Sequence, residues 1–124
     1  MTSIITPDWP APSNVVAGTT TRNAEDGVLP QDLQYLNQVH GAVVVAAGAI
    51  RDADKPLDAD AITGQEPGDI CAVRTADCLP VLFCSADGVR VAAAHAGWRG
   101  LAAGVLENTV SAMSSGAALL PRRT

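Results

Sequence analysis

Both histidines of this 124-residue chain, and one of its three cysteines, fall in short strings rich in small residues. His40 precedes Gly41 in Gln38-Val39-His40-Gly41, Cys78 ends Thr75-Ala76-Asp77-Cys78, and His95 opens His95-Ala96-Gly97-Trp98-Arg99-Gly100. Two imidazoles and a thiolate are a metal-ligand set. Brought together, they fill three positions of a tetrahedral centre and leave the fourth for water or substrate, the arrangement of a catalytic zinc rather than a structural one. A two-His, one-Cys set also suits a type 1 copper with a weak axial Met. Met113 would have to supply that thioether, although its place in a helical apolar stripe favours core packing. A four-copper centre is excluded by inventory, because two histidines cannot ligate a trinuclear cluster.

Each of these residues alone has an ordinary reading. A lone cysteine is usually a small buried hydrophobe, His40 before a glycine fits a turn, and His95 after the apolar residues 91–94 fits a polar strand end. Only their combination favours a metal. Cys71 and Cys84 lie in apolar stretches and read as core thiols. Asp77 either orients a metal-bound histidine or is a solvated carboxylate, and Asp60 carries the same two readings. The string 97–100 opens a helix, whose free N–H groups favour anions. Arg99 could add a bidentate grip on phosphate, or be solvated while the glycines serve close packing. Arg22 reads as a second anion contact or as a surface charge.

The elements that must position these residues follow from periodicity. Residues 15–21 and 42–47 read as strands, 23–30 as a turn, 51–68 as a polar loop and 70–74 as a further strand. Residues 79–84 and 89–94 read as an antiparallel pair joined around Asp87-Gly88. Such a hairpin runs out from Cys78 and back to His95, so it predicts that those two are neighbours. His40 must arrive on a separate segment. From Trp98 the period changes, and Leu101, Ala102, Val105, Leu106, Val110 and Met113 form the stripe of one helix. Residues 121–124 read as a loose polar tail.

Composition narrows the classes. The net charge of −5 and the lack of a basic run argue against nucleic acid or an anionic membrane as partner. Aromatics are too scarce, at 3 %, for a stacking platform. No apolar run reaches the length of a membrane span. An N-terminus without basic and apolar signal regions, together with an odd number of cysteines lacking a CxxC pair, leads us to expect a cytoplasmic protein with free thiols. The length predicts one domain.

Taken together, Gln38-Val39-His40-Gly41, residues 75–83 (TADCLPVLF) and residues 93–107 (AAHAGWRGLAAGVLE) resemble the YfiH-like family, also called laccase-domain or multicopper polyphenol oxidase proteins. The similarity covers residues 5–22 and about 35–114. It implies an α/β fold of layered mixed sheets with flanking helices. It implies metal ligands at His40, Cys78 and His95, and places the family's N-terminal arginine at Arg22. From the residues themselves Asp77 joins those three as a catalytic candidate, and Arg22 is the first choice for phosphate with Arg99 second. The implied activity is a zinc-dependent purine nucleoside phosphorylase that takes adenosine, inosine or methylthioadenosine with phosphate, with adenosine deamination beside it. The older reading is copper-dependent polyphenol oxidation, and a non-catalytic metal-binding fragment is the third. The family has a longer stretch after Arg22 and continues well past Ser114. Residues 1–124 are therefore expected to form a single, shortened domain with an incomplete fold, prone to self-association through uncovered edges.

Overall fold

A computed structural model describes residues 4–20, 29 and 33–114. The fold is mixed α/β, as expected. A short β1 (Ile4–Ile5) pairs antiparallel with β2 (Thr19–Thr20). The principal sheet contains β3 (Val44–Ala46), β4 (Ala61–Gly64), β5 (Leu79–Cys84) and β6 (Val91–Ala96), in the order β3-β4-β6-β5. Only the β3–β4 pair is parallel. Three helices complete the described fold: α1 (Ala47–Arg51), α2 (Trp98–Ala103) and α3 (Val105–Ser114).

Register explains how the sheet is covered. Alternate residues of a strand face opposite sides. Val44, Ala61, Ala94 and Val81 align across the sheet on one face, where Val105 and Leu106 of α3 pack. Val45, Ile62, Ala93 and Leu82 align on the other, against Leu36 and against Ala47 and Ile50 of α1. Both faces are therefore apolar, and the central strands are built largely of alanine. No helix among the described residues is long and apolar enough to cross a membrane.

Several expectations are corrected. The supposed loop 51–68 contains β4, which lies at the centre of the sheet. Its signal is only four residues long, Ala61-Ile62-Thr63-Gly64, and is buried on both faces, so it never alternates. Residues 70–74 form no strand; Cys71 and Val73 instead pack against the sheet from one side. The strand at 15–21 shrinks to Thr19–Thr20 among the described residues, and the strand at 42–47 gives way to α1 after Ala46. The single helix is two, because Gly104 adopts φ of 94° and caps α2 in the left-handed region. That break exposes Leu101 and Val110 and buries Thr109, whose hydroxyl donates to the Val105 carbonyl at 2.7 Å. The expected turn at 23–30, apart from Leu29, and the tail lie outside the described residues.

The turn after β4 shows how local polarity holds this sheet. Asp69 folds back over Gly64, where a Cβ would stand 2.7 Å from its own. Its Oδ2 accepts the N–H groups of Gln65 at 3.1 Å and Glu66 at 3.0 Å, and its Oδ1 accepts from Arg51 Nη1 at 2.8 Å. Burial pushes the Asp69 carboxyl up; the donors from Glu66, Arg51 and Gln65 outweigh it and hold the carboxyl below its ordinary value. A carboxylate lowered in the folded state stabilises above its unfolded pKa, and the gain is lost as pH falls through the folded value. Asp69→Asn is expected to cost about 1–3 kcal/mol at neutral pH, since an amide nitrogen cannot accept these donors. Urea unfolding should show the gap between variant and wild type narrowing as pH drops through the carboxylate range.

Candidate metal centre

The centre grows out of the ends of β4 and β6. The Ala61–Ala94 pair places Asp60 opposite His95, one step further along. The His95 N–H donates to the Asp60 carbonyl at 2.7 Å, and their side chains emerge on the same face. Asp60 Oδ2 lies 2.7 Å from His95 Nδ1, with the Asp60 side chain 0 % exposed and that of His95 5 %. An ionised carboxylate can only accept, so this pairing calls for a proton on Nδ1, and a neutral ring would then present a lone pair at Nε2. His95 is thus an inward-pointing residue of β6 and not the residue after a strand.

The same carboxylate organises His40. Its Oδ1 accepts the N–H groups of Val39 at 3.1 Å and Gly41 at 2.9 Å, and its Oδ2 accepts that of His40 at 3.0 Å. Three successive N–H groups converging on one anion form a nest. Wrapping the chain this tightly puts His40 at φ of 63°, a left-handed conformation rare for a residue with a side chain. Such a conformation costs about 1–3 kcal/mol and persists only where its surroundings fix it. Burial raises the Asp60 carboxyl, while the His95 ring and the N–H groups of Gly41, Val39 and His40 lower it more, leaving it below its ordinary value.

Cys78 precedes β5. The Leu79–Ala96 pair sets it opposite Gly97, so the hairpin delivers the thiol beside His95 as its register requires. Gly97 makes room there: a Cβ would stand 2.8 Å from Cys78 Sγ and 3.7 Å from His40 Nδ1. Gly100 does the same for backbone, its absent Cβ falling 3.0 Å from the Gly41 carbonyl oxygen. Gln38 ties the His40 string to the segment leading into Cys78: its Nε2 donates to the Arg74 carbonyl at 2.6 Å and its Oε1 accepts the Arg74 N–H at 2.8 Å. Asn108 of α3 donates to the Ala42 carbonyl at 2.8 Å on the other side of the turn.

One ligand atom from each of His40, Cys78 and His95 lies within 4.8 Å of the others. Bonds of about 2.0–2.3 Å to a tetrahedral ion hold donors about 3.3–3.8 Å apart, so small side-chain rotations close these three around a metal. His40 is exposed, Cys78 half-buried and His95 buried, which leaves the group open on its outer side. The donor set, the carboxylate on His95 Nδ1 and the clearance over Gly97 all fit a metal. Cys71 offers no competing thiolate, since burial pushes it up to about 12 and its Sγ faces the Val91 carbonyl at 3.8 Å.

The remaining sequence candidates stand elsewhere. Asp77 is exposed, and the carboxylate bonded to a candidate ligand is Asp60. Arg99 is exposed on α2, its guanidinium 5.3 Å above the ring of Trp98. Arg22 lies outside the described residues. Met113 lines two clefts on α3, neither lined by His40, Cys78 or His95. The bonds of Gln38 were not anticipated; for Asp60, orienting a histidine was one of the two readings, and its hold on the His40 turn was not. For Asp60 the available signal was parity, two residues ahead of the inward-facing Ile62, which needs β4 to be seen first.

Residues 10–123 match the family described as multi-copper polyphenol oxidoreductase laccase. The purine nucleoside phosphorylase PA4543 of Pseudomonas aeruginosa is 43 % identical, across 91 % of this chain and 57 % of its own length. The purine nucleoside phosphorylase YfiH of Escherichia coli K12 is 42 % identical, across 90 % and 58 %. Among solved structures, the Neisseria meningitidis protein NMB0706 superposes with a TM-score of 0.77 at 43 % identity, covering 90 % of this chain and 57 % of that one. The chain therefore spans little more than half the length of these relatives.

The crowding over Gly97 yields a direct test. Gly97→Ala must push Cys78 Sγ aside, because the new methyl would sit 2.8 Å from it. Metal affinity, read by chelator competition, is expected to fall on the order of tenfold or more, as for other changes that misplace a ligand. Far-ultraviolet circular dichroism should stay that of the wild type.

Proposed function

The chain belongs to the YfiH-like family of multi-copper polyphenol oxidoreductase laccase proteins, and on that premise we propose that it is a zinc-dependent purine nucleoside phosphorylase. The observation that carries this reading is the convergence of His40, Cys78 and His95, open on one side, in a chain whose relatives bear that enzyme's name. Adenosine, inosine and methylthioadenosine are the proposed nucleosides, and deamination of adenosine would be a second reaction of the same site. In this reading the protein works in the cytoplasm, where its thiols stay reduced.

In phosphorolysis the bond between the base and C1′ of the sugar breaks, and a phosphate oxygen bonds to C1′. The purine leaves with the electron pair and takes up a proton. A bound zinc would act as a Lewis acid on an oxygen of the substrate or water. The chain's own residues supply the rest. His95, oriented by Asp60, and His40, held by its turn, form the rigid side of the site, and Cys78 completes it across Gly97. Arg22 is the first choice for phosphate and Arg99 the second, since a guanidinium grips phosphate with two parallel hydrogen bonds.

Copper is the weaker reading. A type 1 site needs an axial thioether, and Met113 belongs to the walls of clefts that none of the three ligands lines.

Purified protein is expected to hold about one zinc per chain, as a single mononuclear site requires. Elemental analysis should show most of it lost in Cys78→Ser and retained in Cys71→Ser and Cys84→Ser. Metal retained in Cys78→Ser would remove the assignment. With inosine and phosphate, the zinc-loaded protein should release hypoxanthine and ribose 1-phosphate, and His40→Ala should abolish release. Arg22→Ala should raise the phosphate requirement more than the nucleoside requirement; an equal rise in both would take Arg22 out of the phosphate site.

A further inference from the structure

We infer that Asp60 is a positioning residue that sets both histidine ligands before a metal arrives: it holds His95 in the Nδ1–H tautomer and fixes the turn that presents His40. The inference deepens the metal-site reading above and rests on it for its functional meaning.

The carboxylate is fully buried and all its recorded partners come from the two ligand-bearing strings. Oδ1 takes the N–H groups of Val39 and Gly41; Oδ2 takes that of His40 and faces His95 Nδ1 at 2.7 Å. Every partner is a donor, so the site has no place for a donor at residue 60. Neutral imidazole has one N–H, and placing it on Nδ1 leaves Nε2 free to ligate. The same anion closes the turn that holds His40 at φ of 63°. One side chain therefore couples ligands that are far apart in sequence. Asp77 takes no recorded part in these bonds, and His95 is the one residue of the hairpin that does.

Asparagine separates this role from mere bulk. It has nearly the same shape, but one of its two heads is an NH2 donor. Facing His95, that donor favours Nδ1 as acceptor and moves the proton to Nε2, the nitrogen a metal needs. Facing the turn, it meets N–H groups that also donate, and the nest opens. Either orientation spoils one histidine.

The test uses 15N-labelled protein stripped of metal. Two-bond proton–nitrogen correlation spectra, recorded above the imidazole titration range, should show wild-type His95 protonated at Nδ1. Asp60→Asn should show it protonated at Nε2, or a changed His40 environment. Chelator competition should give a zinc affinity about 10–100-fold below wild type for this variant. A wild-type spectrum with His95 protonated at Nε2 would overturn the inference, and so would wild-type zinc affinity in a folded Asp60→Asn. If the variant does not fold, the wild-type tautomer decides alone. Wild-type protein that binds no zinc would sink the phosphorylase reading, while the tautomer in the stripped protein would still decide the role of Asp60.

Discussion

A single buried anion organises the chemistry-bearing half of this fold. Desolvating a carboxylate is expensive, and a charge taken out of water must be matched by donors. Asp60 finds them in the Val39-His40-Gly41 turn and in His95. The dependence is mutual. The turn can adopt its left-handed residue because three N–H groups have one acceptor, and the carboxylate can stay ionised inside because those groups surround it. The two strings that carry the histidines are locked together by an interaction that involves no metal.

The second constraint is steric, and it explains the composition. Alanine dominates the buried apolar residues of the described core, including Ala61, Ala93, Ala94 and Ala96 at the centre of the sheet. Small side chains on both faces let α1 and α3 come close, and the missing side chains of Gly100 and Gly97 leave room for the Gly41 carbonyl and for Cys78. A core of alanines removes less apolar surface per residue than one of leucines. More of the specification therefore falls on hydrogen-bonded clamps, such as the Asp69 turn and the Gln38–Arg74 pair.

What the sequence revealed and concealed follows the range of each interaction. The hairpin of β5 and β6 was legible, because an apolar run, a turn at Asp87-Gly88 and a second apolar run are local signals. With it came the neighbourhood of Cys78 and His95. The change to helical period at Trp98 was legible too, but the division of that helix was not, since one glycine inside an apolar stripe is compatible with either outcome. The central strand β4 was missed. A strand of four small and β-branched residues, buried on both faces and flanked by aspartates and glycine, has no period to detect. That omission hid how Asp60 is placed: its partners lie on two segments far apart in sequence, and only the sheet register brings them together. Asp77, adjacent in sequence to a candidate ligand, was the natural but less informative choice.

The site also divides along the chain. Among the described residues, the contacts that orient or make room for the three candidate ligands run from Gln38 to Asn108. Holding a metal and turning over a nucleoside are thus separable demands. The first needs a buried carboxylate, a tight turn, a hairpin register and two glycines. The second also needs walls that bind base, sugar and phosphate on the open side, where His40 is exposed and Trp98 is 76 % exposed. The described residues of this chain hold the elements of the first demand. Metal occupancy and turnover therefore report on different parts of the molecule, and loss of turnover alone says nothing about the ligand set.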